Sequence, residues 1–149
     1  GVAGLYAPEN VGAEDRAIAQ DIMASVGQVY WLAQEAQMHA ITGISGSGPA
    51  YVFYLLDALA QAAQQQGFDA ETARQLSLAT FKGAVTLAET SGLAFAHLQQ
   101  NVTSKGGTTF AAVSAFEDAH VAQGIQAGVA ACVARSEQMQ QQLKVQSDG

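Results

Sequence analysis

The sequence predicts a mainly α-helical domain over residues 35–149, preceded by a short strand-helix-strand piece over residues 1–34. After residue 34, segments rich in β-branched and aromatic residues stop, and the helix formers Ala, Leu and Gln dominate. Glycine, serine and aspartate then divide the chain into five helical segments. With 149 residues, the chain is long enough for one good hydrophobic core, or for one domain plus part of another.

Residues 1–34 have the pattern of the last unit of an α/β domain. Residues 2–6 form a short apolar run that Pro8 ends. A helix is predicted from Glu14, because apolar residues recur at helical spacing behind an acidic first turn and before Gly27. Residues 29–32, Val-Tyr-Trp-Leu, have the composition of a second strand. The chain opens inside an apolar run without an initiator Met or a signal-peptide pattern, so we expect a fragment.

The five later helices are predicted from the residues that begin and end them. The first starts near Ala36, kinks or restarts at Pro49, which lacks an N–H, and ends at Gly67. The second extends from an Asp69 N-cap to about Thr90. The last three cover about residues 95–102, 108–118 and 121–143, followed by a polar tail, 145–149, that is expected to fray.

The long helices are rich in small residues, which allow helices to approach closely. Helices with apolar or small residues on most faces are buried on most faces, and residues 35–149 cannot achieve this alone. We therefore expect a second copy to complete the core; the alternative is a compact monomeric bundle. The small residues are Ala58, Ala60, Ala62, Ala63, Gly83, Ala84, Gly124, Ala127, Gly128, Ala130 and Ala131.

Charge and residue content exclude several classes of partner. The net charge is −7 and the six Lys and Arg residues are scattered singly, so neither nucleic acid nor an anionic membrane surface is expected. No apolar stretch is long enough for a membrane span. The single cysteine, Cys132, lies in an apolar helical run, which predicts an inert thiol in a reducing, cytoplasmic compartment. His39, His97 and His120 have no metal-ligand spacing, so no metal is expected.

The strongest candidate site is the loop of residues 103–109, Thr-Ser-Lys-Gly-Gly-Thr-Thr, before the fourth helix. Two glycines free the backbone, and hydroxyl side chains surround the entry to a helix N-terminus. Free N–H groups and the helix dipole at such a place can bind a small anion such as a carboxylate. The alternative is an ordinary helix cap, in which Thr is common.

A second glycine-rich segment, residues 43–49, does not match a catalytic motif. Neither Ser45 nor Ser47 stands in a Gly-x-Ser-x-Gly arrangement, and Pro49 occupies the place where a phosphate-binding loop requires Lys. Close backbone contact at a kinked helix is the favoured interpretation, although Thr42, just upstream, remains a candidate. Structural roles are also favoured for the pair Glu117-Asp118 and for the cluster Tyr51, Phe53 and Tyr54.

Two blocks closely resemble the signatures of pyrroline-5-carboxylate reductases. Residues 41–51, Ile-Thr-Gly-Ile-Ser-Gly-Ser-Gly-Pro-Ala-Tyr, resemble the family's SGSGPAY block. Residues 102–109, with Ala112-Val113 and Phe116-Glu117 after them, resemble its second signature. Both blocks occur in order and at the family's separation, and the resemblance extends over essentially the whole chain.

The resemblance implies an oxidoreductase of proline biosynthesis, which transfers hydride from NADPH or NADH to the C=N carbon of 1-pyrroline-5-carboxylate and forms L-proline. It implies that residues 1–34 end a Rossmann-type cofactor domain. Residues 35–149 would form a helical dimerisation and substrate-binding domain of the type found at the C-terminus of 6-phosphogluconate dehydrogenases. The expected assembly is a homodimer, alone or within a larger assembly of dimers.

The resemblance also implies roles for individual residues. Thr42 is the candidate catalytic residue, which reaches the ring nitrogen from the partner subunit and hydrogen-bonds or protonates it. Hydride attack on a cyclic imine is assisted in this way, because negative charge would otherwise build on the nitrogen. The substrate carboxylate would be held by Ser104, Gly106, Gly107, Thr108 and Thr109.

Two departures from the family pattern affect these expectations. Lys105 stands where many members have proline, which predicts a more flexible loop and adds positive charge beside the carboxylate. No Gly-x-Gly-x-x-Gly follows a strand, so the main cofactor site is expected outside this chain, and the chain alone is expected to be inactive. Two alternatives are a stand-alone oligomerisation or carboxylate-binding module, and the helical domain of another Rossmann-linked dehydrogenase.

Overall fold

A computed structural model describes residues 1–147, and in that range helices dominate. The mainly α-helical class and the leading strand-helix-strand piece are confirmed. Helix α7 continues past its predicted end, and the last part of the tail expected to fray, residues 148–149, lies outside the described residues. The elements are β1 (Val2–Leu5), α1 (Ala13–Ala24), β2 (Gln28–Trp31), α2 (Gln37–Ile41), a π-helical turn (Thr42–Gly46), α3 (Gly48–Gln65), α4 (Ala70–Ser91), α5 (Phe95–Asn101), α6 (Thr108–Asp118) and α7 (Val121–Ser147).

The strands β1 and β2 pair in parallel, with Ala3 opposite Val29, and α1 connects them. Arg16 of α1 organises the loop that follows β1. Its Nη2 donates to the carbonyl of Ala7 at 3.0 Å, and its guanidinium carbon lies 5.6 Å from the centre of the Trp31 ring. One side chain thus joins the helix, the loop and the second strand.

The described chain divides into two compact units. The first comprises Gly1–Pro49 together with α7 from Gln126 onward, and the second comprises Ala50–Ile125. This division differs from the predicted domain boundary between residues 34 and 35, which stays a prediction. No helix in the described range is both long enough and apolar enough to cross a membrane.

Very little of the apolar surface is buried in a single copy. Among the described residues, the buried apolar side chain is Ala73, at 0% exposure, and one turn later Ser77 is 2% exposed, with its hydroxyl bonded to the carbonyl of Ala73. Large apolar side chains remain open, such as Tyr54 at 76% and Phe95 at 80% exposure. Exposed apolar surface on this scale is typical of a chain whose helices pack against another chain.

Asp69 caps α4 as predicted, and this cap gives the helix a pH dependence. The backbone N–H of Thr72 donates to Asp69 Oδ1 at 2.8 Å, and the Thr72 hydroxyl donates to Oδ2 at 2.9 Å. These two hydrogen bonds hold the pKa of the Asp69 carboxyl below its usual value of 3.8, and the bond from the backbone N–H has the larger effect. The folded pKa is therefore lower than the unfolded one, so the stabilisation is complete above pH 3.8 and disappears as the pH falls through the folded value.

We expect Asp69→Asn to separate the effect of the Asp69 charge on stability from the effects of all other titrating groups. Asparagine also caps helices but carries no charge at any pH. The melting temperature of the original protein, followed by circular dichroism, should exceed that of the variant at neutral pH, and the difference should shrink as the pH falls below 3.8. A difference that stays constant from neutral to acidic pH would show that the charge of Asp69 does not stabilise α4.

Candidate anion-binding site

The loop between α5 and α6 turns sharply over residues 104–107. The N–H of Gly107 donates to the carbonyl of Ser104 at 3.0 Å, and Gly106 has a φ of +75°. Both features are those of a type II β-turn with Lys105 and Gly106 as its central residues. Lys105 takes the position at which such turns often have proline, so this turn forms with a lysine there. Gly106 is required because side chains disfavour a positive φ.

Gly107 keeps the turn in contact with the start of α6. A Cβ at this position would overlap Ser104 Oγ and would lie 3.1 Å from the Ser104 carbonyl oxygen. Gly107 is the N-cap residue of α6, and no side chain caps the helix. The first intrahelical donor is the N–H of Ala111, which bonds to the carbonyl of Gly107. Helix geometry therefore leaves the N–H groups of residues 108–110 without an intrahelical acceptor.

The hydroxyl groups of this loop divide into two classes. The Thr103 hydroxyl already forms a hydrogen bond, because its Oγ1 donates to the carbonyl of Gln99 at 2.6 Å at the end of α5. Within residues 1–147, the hydroxyls of Ser104, Thr108 and Thr109 form no hydrogen bond, and all three side chains are exposed. The ordinary Thr-cap interpretation is therefore wrong for this loop. Unbonded N–H groups, hydroxyls and the positive end of a helix dipole are groups to which a small anion binds, and the carboxylate site at this loop stays a prediction.

Thr42 begins the π-helical turn. The N–H of Ser47 bonds to the carbonyl of Thr42, five residues earlier, at 2.9 Å. The exposed Thr42 side chain donates from Oγ1 to the carbonyl of Met38 at 2.8 Å. One lone pair of this oxygen therefore stays available to accept a hydrogen bond. Single π-helical turns occur frequently at functional sites.

Ser45 and Ser47 have structural contacts, as the sequence favoured. Ser45 Oγ donates to the carbonyl of Ile41 at 2.9 Å, and Ser47 Oγ lies 3.1 Å from Cys132 Sγ. The half-buried thiol of Cys132 therefore serves in packing α7 against the residue that precedes α3. A new helix, α3, begins at Gly48 with Pro49 in its first turn, which agrees with the predicted restart at Pro49, whereas the π-helical turn over residues 42–46 was not predicted.

The predicted site residues fall into two groups. Residues 104–109 lie together in one turn and one helix start within the second compact unit, while Thr42 belongs to the first unit. A meeting of Thr42 with the loop stays a prediction. His39, three residues before Thr42, was considered only as a metal ligand, and the structure instead bonds both of its ring nitrogens to α7.

The family model described as pyrroline-5-carboxylate reductase dimerisation matches residues 35–139. The pyrroline-5-carboxylate reductase of Haemophilus influenzae is 43% identical over 141 residues, which cover 94% of this chain and 52% of that protein.

Solved structures of two reductases also match this chain. A pyrroline-5-carboxylate reductase from Coxiella burnetii matches with a TM-score of 0.86 and 37% identity, over 92% of this chain and 51% of that one. The pyrroline carboxylate reductase of Plasmodium falciparum, solved with NADP bound, matches with a TM-score of 0.82 and 29% identity, over 91% and 52% of the two chains. The chain spans about half the length of the relatives it matches. These matches decide against the helical domain of a different dehydrogenase, and the chain belongs to the pyrroline-5-carboxylate reductase family.

Proposed function

We propose that this chain supplies the helical, substrate-binding half of a reductase that converts 1-pyrroline-5-carboxylate to L-proline with hydride from NADPH or NADH. The observation that carries the proposal is the start of α6, where N–H groups without an intrahelical acceptor lie in the same loop and helix start as three exposed hydroxyls without a hydrogen bond, in a member of this family. The enzyme would act in the cytoplasm as a homodimer, alone or within an assembly of dimers.

The loop binds the carboxylate of the substrate. Its oxygens accept hydrogen bonds from the N–H groups at the start of α6 and from the hydroxyls of Ser104, Thr108 and Thr109. Gly106 and Gly107 let the backbone approach, and Lys105 adds positive charge beside the loop. This anchor fixes the ring in one orientation, which is a positioning contribution to the rate.

Thr42 of the partner subunit acts at the ring nitrogen. Because its hydroxyl hydrogen is directed to the carbonyl of Met38, its oxygen is an acceptor for a protonated ring nitrogen. This bond stabilises the iminium form of the substrate. Hydride added to the carbon of C=N–H⁺ then gives the neutral ring amine without a negative charge on nitrogen.

Two glycine positions in this chain, Gly43 and Gly12, do not fit the diphosphate of a dinucleotide. Gly43 belongs to a glycine-rich segment, yet the space beside it is filled, since a Cβ there would lie 2.7 Å from Val133 Cγ2. Gly12 precedes α1, but the first turn of that helix carries Glu14 and Asp15, which repel an anion. We therefore propose that the cofactor is held mainly by residues outside this chain.

A chimera tests the assignment of Thr42. This chain would replace the matching 141 residues of the Haemophilus influenzae reductase. Thr42→Val should lower kcat about tenfold or more and leave KM for the substrate nearly unchanged, because the lost bond forms to a charged group at the reacting nitrogen. The matched control is Thr80→Val, whose Oγ1 also donates to the carbonyl four residues earlier at 2.8 Å. Equal kcat values for the Thr42 and Thr80 variants would contradict the assignment.

The same chimera tests the carboxylate site. Thr109→Ala should raise KM and weaken inhibition by L-proline about tenfold, the usual effect of losing a hydrogen bond to a charged group. Thr80→Ala is the control and should change neither value. A chimera that binds L-proline but never reduces the substrate would favour the alternative, a carboxylate-binding module without catalysis. Unchanged KM and inhibition in Thr109→Ala would exclude Thr109 from the site.

A further inference from the structure

His39 joins α2 to α7 through both nitrogens of its ring. Nδ1 lies 2.8 Å from Ser136 Oγ, and Nε2 lies 3.2 Å from Gln140 Oε1. Ser136 and Gln140 are one turn apart on α7, and all three side chains are half-buried. A side chain held at both ends in this way fixes the helix that carries it against its neighbour.

The contacts of His39 are the first of three places at which the segment of residues 39–47 meets α7. One turn further, the buried Gly43 lies so close to α7 that a Cβ would be 2.7 Å from Val133 Cγ2. Another turn on, Ser47 Oγ meets Cys132 Sγ at 3.1 Å. The segment from α2 to the start of α3 therefore touches α7 at intervals of four residues.

These contacts bracket the π-helical turn that carries Thr42. A π-helical turn is rare because an α-helical hydrogen-bond pattern is normally preferred, so it persists where surrounding packing holds it. The upstream end is held by His39 and the downstream end by Ser47. If the contacts of His39 were lost, the π-helical turn could adopt the α-helical pattern, and the Thr42 hydroxyl would point in another direction.

We propose that His39 is a positioning residue, whose two hydrogen bonds to α7 fix the π-helical turn and thereby direct the hydroxyl of Thr42. The inference rests on the proposed role of Thr42 in the reductase. His39 itself touches neither substrate nor cofactor in this account. Substitution of His39 should therefore lower kcat, and only in a protein that retains Thr42.

A double-mutant cycle in the chimera tests the proposal. His39→Ala should lower kcat about tenfold while KM changes less than about twofold, because the carboxylate is held by a different loop. In a Thr42→Val background, the same substitution should lower kcat by less than about twofold, since residues that act through one another are not additive. His39→Gln keeps a donor and an acceptor and should restore part of the lost kcat.

A second variant approaches the same contact from α7. Ser136→Ala removes only one hydroxyl and should reproduce the selective loss of kcat, even if His39→Ala fails to fold. Gln141→Ala is the matched control, because this neighbour of Gln140 has no described hydrogen bond to His39. Circular dichroism melts would compare the stability of all variants.

The outcomes separate this inference from the proposed function. Normal kcat in both His39→Ala and Ser136→Ala, or an equal loss with and without Thr42, overturns the positioning role alone. Normal kcat in Thr42→Val overturns both the role of Thr42 and the role of His39.

Discussion

Gly107→Ala is expected to remove carboxylate binding by the loop. The new Cβ would overlap Ser104 Oγ and approach the Ser104 carbonyl, which accepts the hydrogen bond that closes the turn. The Ser104 hydroxyl must then rotate away and the Ser104 carbonyl must shift, which displaces the closing hydrogen bond of the turn relative to the hydroxyls and N–H groups at the start of α6. Overpacking of this kind costs about 1–3 kcal/mol, so KM in the chimera should rise about tenfold or more. Calorimetry with L-proline should show a matching loss of affinity.

A pair of glycines provides the control for loss of stability. Gly106 has a φ of +75° and Gly92, at the end of α4, has a φ of +64°, and a Cβ at either position would meet open space. Alanine should therefore introduce a similar strain of about 1–2 kcal/mol at each position. Only Gly106→Ala should raise KM, whereas Gly92→Ala should lower only the melting temperature. A comparable rise of KM in both variants would mean that the loop responds to general destabilisation.

A charge on the aromatic face of α3 is expected to dissociate the dimer. Phe53 is 66% exposed in a single copy and lies beside the still more exposed Tyr54. Buried aromatic side chains carry much of the energy of interfaces, about 2 kcal/mol or more each, and an unpaired buried carboxylate is unfavourable. Phe53→Asp should therefore be a monomer at micromolar concentration, where the original protein should be a dimer.

Light scattering can check this expectation with a control on the same helix. Gln64→Asp adds the same charge at an exposed polar position of α3 and should leave the dimer intact. An original protein that is a monomer at micromolar concentration would favour the compact-bundle alternative. A dimeric Phe53→Asp variant would place the interface elsewhere.

Local patterns in the sequence were sufficient to predict the helices and the glycine-containing loop before α6. Asp69 and Gly92 bound α4 because a cap depends on a few neighbouring residues. The glycines of the loop could be assigned to a turn before a helix for the same reason. The helix restart at Pro49 was also predicted, whereas the π-helical turn before it, which contacts α7 at Gly43, was not.

Contacts distant in sequence could not be predicted. His39 and Ser136 are 97 residues apart, and nothing in the local sequence of either residue indicates that they meet. The type II conformation of the turn depends on the backbone of Gly106, which the sequence showed only as a flexible glycine. The resemblance to a family supplied the link between Thr42 and the loop, which no pattern within this chain contains.

In the proposed enzyme, each active site combines the loop of one subunit with Thr42 of its partner. Complementation between two impaired chimeras, assayed at a substrate concentration well below KM, tests this arrangement. In a mixed dimer of Thr42→Val and Gly107→Ala subunits, one site would have an intact loop from the first and an intact Thr42 from the second. After the two are unfolded and refolded together in equal amounts, half of the dimers are mixed, so activity should rise to about a quarter of the original. Activity no greater than the mean of the separately refolded variants would contradict the shared site.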